Sequence, residues 1–233
     1  MTSIDPTRVR VIGFDADDTL WHNEMIFRDA ETEIAGLLRA YEVEQVIKQA
    51  MYAIEMENLG AYGYGVKGFT LSMLELVGRV TGGAASAKTY DAVLDIGKRM
   101  LEEPVRLLDG VRESVEALRE RGHRLIVITK GDLLDQERKL RRSGLGELFH
   151  HVEVVSNKTP ADYARVLRHL DLAPEHFLMI GNSLKSDVLP LVELGAQAVH
   201  VPYAVTWAHE VAEAGPGQAY VRMEAVQELL DVL

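Results

Sequence analysis

Residues 9–21 read VRVIGFDADDTLW. The first half is a β-branched and apolar run with no helical period, and it stops on a carboxylate, Asp15. A run of that kind predicts a buried strand. Asp15 and Asp17 then stand two residues apart at its end, where both can face one cavity. Taken alone, DxDDT is also readable as an acidic turn after a strand.

Four further runs of the same kind follow: RLIVIT ending at Thr129, VEVVS near Ser156, FLMIG at Gly181 and QAVHV at Val201. Helical patterns lie between them. DGVRESVEALRERGH places Val111, Val115 and Leu118 on one face and stops at Gly122. LLDQERKLRRSGL and PADYARVLRHL come next, the latter with Pro160 suited to a first helical turn. SDVLPLVELGA follows FLMIG, and Pro190 leaves its start open. Strands alternating with helices imply parallel strands and right-handed crossovers, hence an α/β, Rossmann-like, doubly wound core. Ligands of such sheets bind outside the carboxyl ends of the strands.

One segment breaks the alternation. IFRDAETEIAGLLRAYEV, EQVIKQAMYAIEMENLG, TLSMLELVGRV and YDAVLDIGKRMLEE all read as helices, and no strand interrupts them. The expected division is a core of residues 1–21 and 105–233, and an inserted all-helical cap of residues 22–104 placed over the strand ends.

Composition narrows the function. Of 233 residues, 47% are apolar and 26% charged, an ordinary balance for a globular chain. Lys and Arg total 25 against 36 Asp and Glu, a formal charge of −11. That disfavours a nucleic acid polymer as partner. The dense basic stretch Arg138, Lys139, Arg141 and Arg142 reads as a solvated helix face. No stretch approaches the length of a membrane span, and MTSIDPTRVR lacks the apolar region of a signal peptide. With no cysteine, disulfides and thiol chemistry are excluded, and a cytoplasmic location is expected. The expected state is a monomer or homodimer.

The strand ends carry the chemistry. A divalent cation between a carboxylate and a phosphate monoester would remove their repulsion. Asp15 could then attack phosphorus, while Asp17 protonates the leaving oxygen and later deprotonates a water. Thr129, followed by Lys130-Gly131, offers a hydroxyl and main-chain N–H groups to phosphate oxygens, or else caps the next turn. Lys158 can neutralise charge on the nucleophile and the transferring group, or is a solvated loop lysine. Asn182 and Asp187 offer hard oxygen ligands suited to Mg²⁺, though Ser186 or Asp187 could equally cap a helix. Together these put nucleophile, hydroxyl, cation and metal ligands at four strand ends of one sheet.

In order and spacing, FDADDTL, VITKG, SNKTP and GNSLKSD resemble the four motifs of the haloacid-dehalogenase-like hydrolases, phosphatase branch. The resemblance implies a Rossmann-like core, an obligatory Mg²⁺ and a helical cap of the first type. It implies Asp15 as nucleophile, Asp17 as acid/base, and Thr129 and Lys158 on the phosphoryl group. It implies that Asp17 binds the metal through its main-chain carbonyl, with Asp15, Asn182 and Asp187 completing the set. Two positions depart from the pattern. Asp18 stands where many members have glycine, and Asn182 where Mg²⁺-dependent members commonly have Asp. The second predicts weaker metal binding, with Asp187 carrying more of it.

The activity expected is therefore hydrolysis of a small phosphorylated metabolite. A phosphomutase, a metal-independent 2-haloacid dehalogenase and a weakly catalytic binding protein are the alternatives, and Asp17 argues against the dehalogenase. FDADDTL also resembles the opening motif of some nucleoside-monophosphate phosphatases. In GAYGYGVKGF the glycines permit a mobile loop, from which Lys67, Tyr62 or Tyr64 would read the substrate. An ordinary interhelical loop is the competing reading. Trp21 lines the pocket or packs in the core. His150-His151 reads as structural, and Trp207 and His209 as packing a late loop.

Overall fold

A computed structural model describes residues 3–233. Six parallel strands form one sheet: β1 (Val11–Phe14), β2 (Arg124–Lys130), β3 (His151–Val155), β4 (Phe177–Gly181), β5 (Gln197–His200) and β6 (Val221–Arg222). Their order is β3-β2-β1-β4-β5-β6. Five of them coincide with the five apolar runs, and β6 is an addition. β1 thus lies between β2 and β4, where the strand order changes direction and such sheets open a ligand crevice.

The unbroken apolar character of the strands follows from burial on both faces. Ile12, Phe14, Leu125, Val127, Leu178 and Ile180 point into one core. Val111, Val115 and Leu118 of α5 (Val111–Glu120) and Leu140 of α6 (Leu133–Ser143) complete it. Val11, Ile126, Ile128, Phe177 and Met179 point the other way. They pack on Tyr163, Val166 and Leu167 of α7 (Pro160–His169) and Leu191 of α8 (Leu189–Glu193).

The chain separates into two compact units. One holds the residues up to Glu24 with Val105–Lys130 and Glu137–Leu233, and the other holds Met25–Pro104 with Gly131–Gln136. The second unit contains α1 (Glu24–Leu38, from its second residue), α2 (Glu44–Tyr62), α3 (Val66–Thr81) and α4 (Ala87–Glu102). These helices bury a core of their own around Ile34, Leu38, Met51, Phe69, Met73, Leu76 and Ile96.

The structure corrects two local readings. GAYGYGVKGF is mostly helix: α2 runs to Tyr62 and α3 starts at Val66, leaving residues 63–65 between them. Gly68 lies inside α3 for packing, because a Cβ there would meet Gly63 O at 2.8 Å and Tyr62 Cβ at 3.3 Å. After β4, a π turn (Leu184–Val188) precedes α8, and its cap is Ser183, whose side chain accepts from Ser186 N. The capping expected of Ser186 or Asp187 therefore falls to Ser183. Among the described residues, no helix is long and apolar enough to cross a membrane.

Candidate active site

β1 hands Asp15 directly to the site. Asp15 N donates to Ile180 O at 2.9 Å, extending the β1–β4 ladder by one bond. The chain then folds back sharply: Leu20 N donates to Ala16 O at 2.8 Å and Asp18 N to Trp21 O at 2.7 Å. That turn sets Asp18 at φ 62, the left-handed region that favours glycine. Here an aspartate holds it, and its carboxylate has a second task. Asp18 Oδ1 accepts from Asn23 N at 2.8 Å and from Glu24 N at 3.0 Å, fixing the start of α1. Burial pushes the Asp18 carboxyl up to about 7, against those two bonds.

Lys158 reaches Asp15 from the neighbouring side of the sheet. It follows β3 and stands just before Thr159, the N-cap of α7 in a reciprocal capping box with Asp162. Its side chain is 1% exposed. Lys158 Nζ lies 2.5 Å from Asp15 Oδ1 and 2.6 Å from Asp187 Oδ1. The solvated-loop reading of this lysine is thereby excluded.

β4 contributes the rest. A Cβ at Gly181 would collide with the Asp187 carboxylate, so only glycine lets that carboxylate pack on the strand end. Ser183 N donates to Asp187 Oδ2 at 3.0 Å and locks its orientation. Thr19, fully buried, ties the two loops together. Its hydroxyl accepts from Asn182 N at 3.0 Å and lies 3.2 Å from Asp15 Oδ2 and 3.3 Å from Asn182 Oδ1.

Two carboxylates therefore share one ammonium in a buried place. Burial, with Asp187 beside it, pushes Asp15 up to about 7 against the pull of Lys158. Burial works to lower Lys158, but Asp15 and Asp187 outweigh it and hold the ammonium well above the usual lysine range. The cluster holds two carboxylates to one ammonium and presents Asp15, Asp187 and the Asn182 amide as hard oxygens. That donor set fits a divalent cation such as Mg²⁺. Among the described residues no group of three His, Cys, Asp or Glu side chains forms a denser metal cluster.

The other expected site residues are distributed differently. The Asp17 carboxylate accepts from Trp21 Nε1 at 2.7 Å and from Lys139 Nζ at 2.6 Å. Trp21 packs in the core, the second of its two readings, and its indole N–H bonds the Asp17 carboxylate. Thr129 is buried at the end of β2, with its hydroxyl 3.3 Å from Lys130 O. Lys130 stands in a second cluster: its Nζ meets Ser186 Oγ at 2.9 Å and Glu210 Oε1 at 2.5 Å. Gly131 has φ 133 and groups with the helical unit. In that unit Tyr62 is exposed at the end of α2, Tyr64 lies between α2 and α3, and Lys67 pairs with Asp132 at 2.8 Å.

Three residues of the site escaped the sequence reading. Thr19 sat in the quoted motif, four residues after Asp15. Lys139 was assigned to a solvated face, which is corrected here: Arg141 and Arg142 are exposed, but Lys139 turns inward. Its helical spacing from the buried Gln136 and Ser143 was the available signal. Glu210 gave none, since only the fold brings it to Lys130. The histidine pair is structural: His150 Nδ1 accepts from Leu125 N at 3.2 Å, and His151 pairs with Glu153 at 2.8 Å. Trp207 and His209 pack with tilted rings, centres 4.9 Å apart, in the late loop.

A parallel α/β sheet with a buried carboxylate at the switch-point strand, held by a lysine and a second carboxylate, defines a class of hydrolases that use an aspartate at that place. The model of the haloacid dehalogenase-like hydrolases matches residues 9–195, and the chain belongs to that family. It is 26% identical over 210 residues to a glyceraldehyde 3-phosphate phosphatase of Pyrococcus abyssi, covering 84% of this chain and 82% of that one. A crystal structure of a haloacid dehalogenase-like family hydrolase from Xanthomonas campestris superposes with a TM-score of 0.80 at 41% identity, over 91% of this chain and 88% of that one. A predicted phosphoglycolate phosphatase from Haemophilus somnus shares the fold, with a TM-score of 0.64 at 18% identity over 98% of this chain and 99% of that one.

Proposed function

We propose that this hydrolase is a Mg²⁺-dependent phosphatase, acting in the cytoplasm on a small phosphorylated metabolite through an aspartyl-phosphate on Asp15. The observation that carries the reading is the buried pair of carboxylates, Asp15 and Asp187, on the single ammonium of Lys158. Mg²⁺, held by Asp15, Asp187, Asn182 and the Asp17 carbonyl, would neutralise the phosphate oxygens and so lift the repulsion between two anions. An Asp15 oxygen bonds to phosphorus as the ester bond breaks, and Asp17 delivers a proton to the leaving oxygen. Asp17 then takes a proton from the water that cleaves the acyl phosphate. Lys158 keeps Asp15 in place and offsets charge on the transferring group. The Thr129 hydroxyl and the main chain at Lys130-Gly131 bind phosphate oxygens, and Lys67, Tyr62 and Tyr64 are assigned to recognition of the rest of the substrate. Because relatives are named glyceraldehyde 3-phosphate phosphatases, a three-carbon sugar phosphate heads the candidates.

The test is phosphate release from a panel of phosphomonoesters, with Mg²⁺ and with EDTA, by wild type and Asp15→Asn. We expect metal-dependent release that falls by about a thousandfold or more in the variant, the scale of losing a covalent nucleophile. Isomerisation without phosphate release would make it a mutase, and metal-independent halide release a dehalogenase. A folded, Mg²⁺-supplied wild type inert towards all of these would be a binding protein.

A further inference from the structure

We propose that Lys139 is the positioning residue of the acid/base: it holds the Asp17 carboxylate where it can protonate the leaving oxygen. The inference rests on the phosphatase reading and extends it to a residue outside the four motifs. Lys139 Nζ lies 2.6 Å from Asp17 Oδ1 and 2.8 Å from Oδ2, so it grips both oxygens. Trp21 Nε1 donates to Oδ1 at 2.7 Å from a ring that is 1% exposed, which makes the indole a fixed point. Asn23 Oδ1 accepts from the same ammonium at 3.1 Å, so the lysine is held in its turn. The Lys139 and Asp17 side chains are 15% and 23% exposed, unlike a solvated surface pair. Fixing a lysine side chain costs rotamer freedom, and a solvated face would not require it. What the arrangement secures is the torsion of the one carboxylate whose task depends on aim.

The proton matters in a single bond-breaking step. Asp15 bonds to phosphorus, the bond from phosphorus to the ester oxygen breaks, and its electron pair leaves on that oxygen. Asp17 enters this step as the carboxylic acid, with one oxygen released by Lys139 to carry the proton and the other still held, and that proton passes to the leaving oxygen. An alkyl oxide is a poor leaving group and needs the proton, whereas a nitrophenyl oxide leaves well without it. In a mechanism with a covalent intermediate, kcat/KM contains only the steps up to that intermediate. The later activation of water by Asp17 therefore drops out of it.

The experiment compares kcat/KM for an alkyl phosphate and for p-nitrophenyl phosphate in wild type, Lys139→Met, Lys139→Arg and Asp17→Asn. Lys139→Met should lose about tenfold or more on the alkyl ester, a fraction of the roughly 10²–10⁴-fold that a general acid contributes. Its loss on the aryl ester should be several-fold smaller. The change should fall on kcat rather than KM, and Lys139→Arg should restore most of it. Both esters read the same sample, so partial unfolding lowers both equally and leaves their ratio unchanged. Equal losses on the two esters would make Lys139 a fold-supporting residue and overturn the proposal. Faster alkyl turnover in Lys139→Met would overturn it too, because the lysine would then be restraining Asp17. A wild type that releases no phosphate from either ester fails earlier and separately, at the phosphatase reading itself.

Discussion

Two lysines end up inside the sheet unit at the ends of neighbouring strands, and they do opposite things. Lys158, after β3, serves two carboxylates, Asp15 and Asp187. Lys130, at the end of β2, pairs with Glu210. Glu210 also accepts from Ser183 Oγ and Ser186 Oγ, both at 2.5 Å, so its lone pairs are well used. Burial works to raise Glu210, but Lys130 and the two serines hold it at about 2. Asp15 moves the other way, up to about 7. A carboxylate bonded on both oxygens is what a fold uses to pin a loop, here the segment that presents Asn182 and Asp187. A cluster with a carboxylate in excess is unstable until something positive arrives, and such imbalance marks a place where a cation and a phosphoryl group can be received.

The sharpest way to break the comparison is to remove each partner in turn. Lys158→Met leaves two buried carboxylates facing each other and should destabilise the metal-free protein by about 3–5 kcal/mol. Thermal melts in EDTA measure this, and Mg²⁺ should recover more stability in the variant than in wild type. A variant as stable as wild type would show that the triad stores no charge imbalance. Glu210→Gln should cost less, at most about 3 kcal/mol, from the drop of the Glu210 value from 4.5 to about 2.

The two clusters should also respond to pH with opposite sign. Glu210 is depressed, so its contribution is present above about 4.5 and is lost as pH falls through about 2. Asp15 is raised from 3.8, so the stability it favours is present below that value and is lost as pH rises through about 7. In EDTA, Glu210→Gln should flatten the acid limb of a stability–pH curve and leave the limb between 4 and 7. Loss of both limbs in that variant would mean that the clusters are one coupled unit.

The same contrast explains what could be read without coordinates. Strands buried on both faces are unbroken apolar runs, so five of six were visible, and Asp15, Lys158, Asn182 and Asp187, which the structure brings close together, could be singled out because each lies at or shortly after the end of one. β6 has two residues and no such run. The start of α3 was hidden because Gly63, Gly65 and Gly68 look alike in sequence. The first two have φ of 70 and 105, whereas Gly68 is helical and small for packing. The partners of Glu210 and Lys139 were beyond reach for a shared reason, although helical spacing marked Lys139 as facing inward. A salt bridge between residues 80 or 122 positions apart leaves no local pattern.

The mildest test concerns Asn182, the residue that departs from the family pattern. Its amide oxygen lies 3.3 Å from Thr19 Oγ1, and its main-chain carbonyl accepts from His200 Nε2 at 2.9 Å. Those bonds fix the loop whichever side chain stands there, since Thr19 also accepts from Asn182 N. Asn182→Asp should therefore keep the geometry and change the charge. It sets a third carboxylate beside Asp15 and Asp187 against the same single ammonium. Without metal the variant should melt earlier than wild type. With metal it should bind Mg²⁺ about tenfold more tightly, worth about 1.4 kcal/mol, because ligand charge count governs affinity at hard oxygen sites. The apparent Mg²⁺ constant for phosphate release and the Mg²⁺-dependent rise in melting temperature should move together. Unchanged or weaker Mg²⁺ affinity would place Asn182 outside the metal's reach and leave Asp15 and Asp187 as the side chains that hold it.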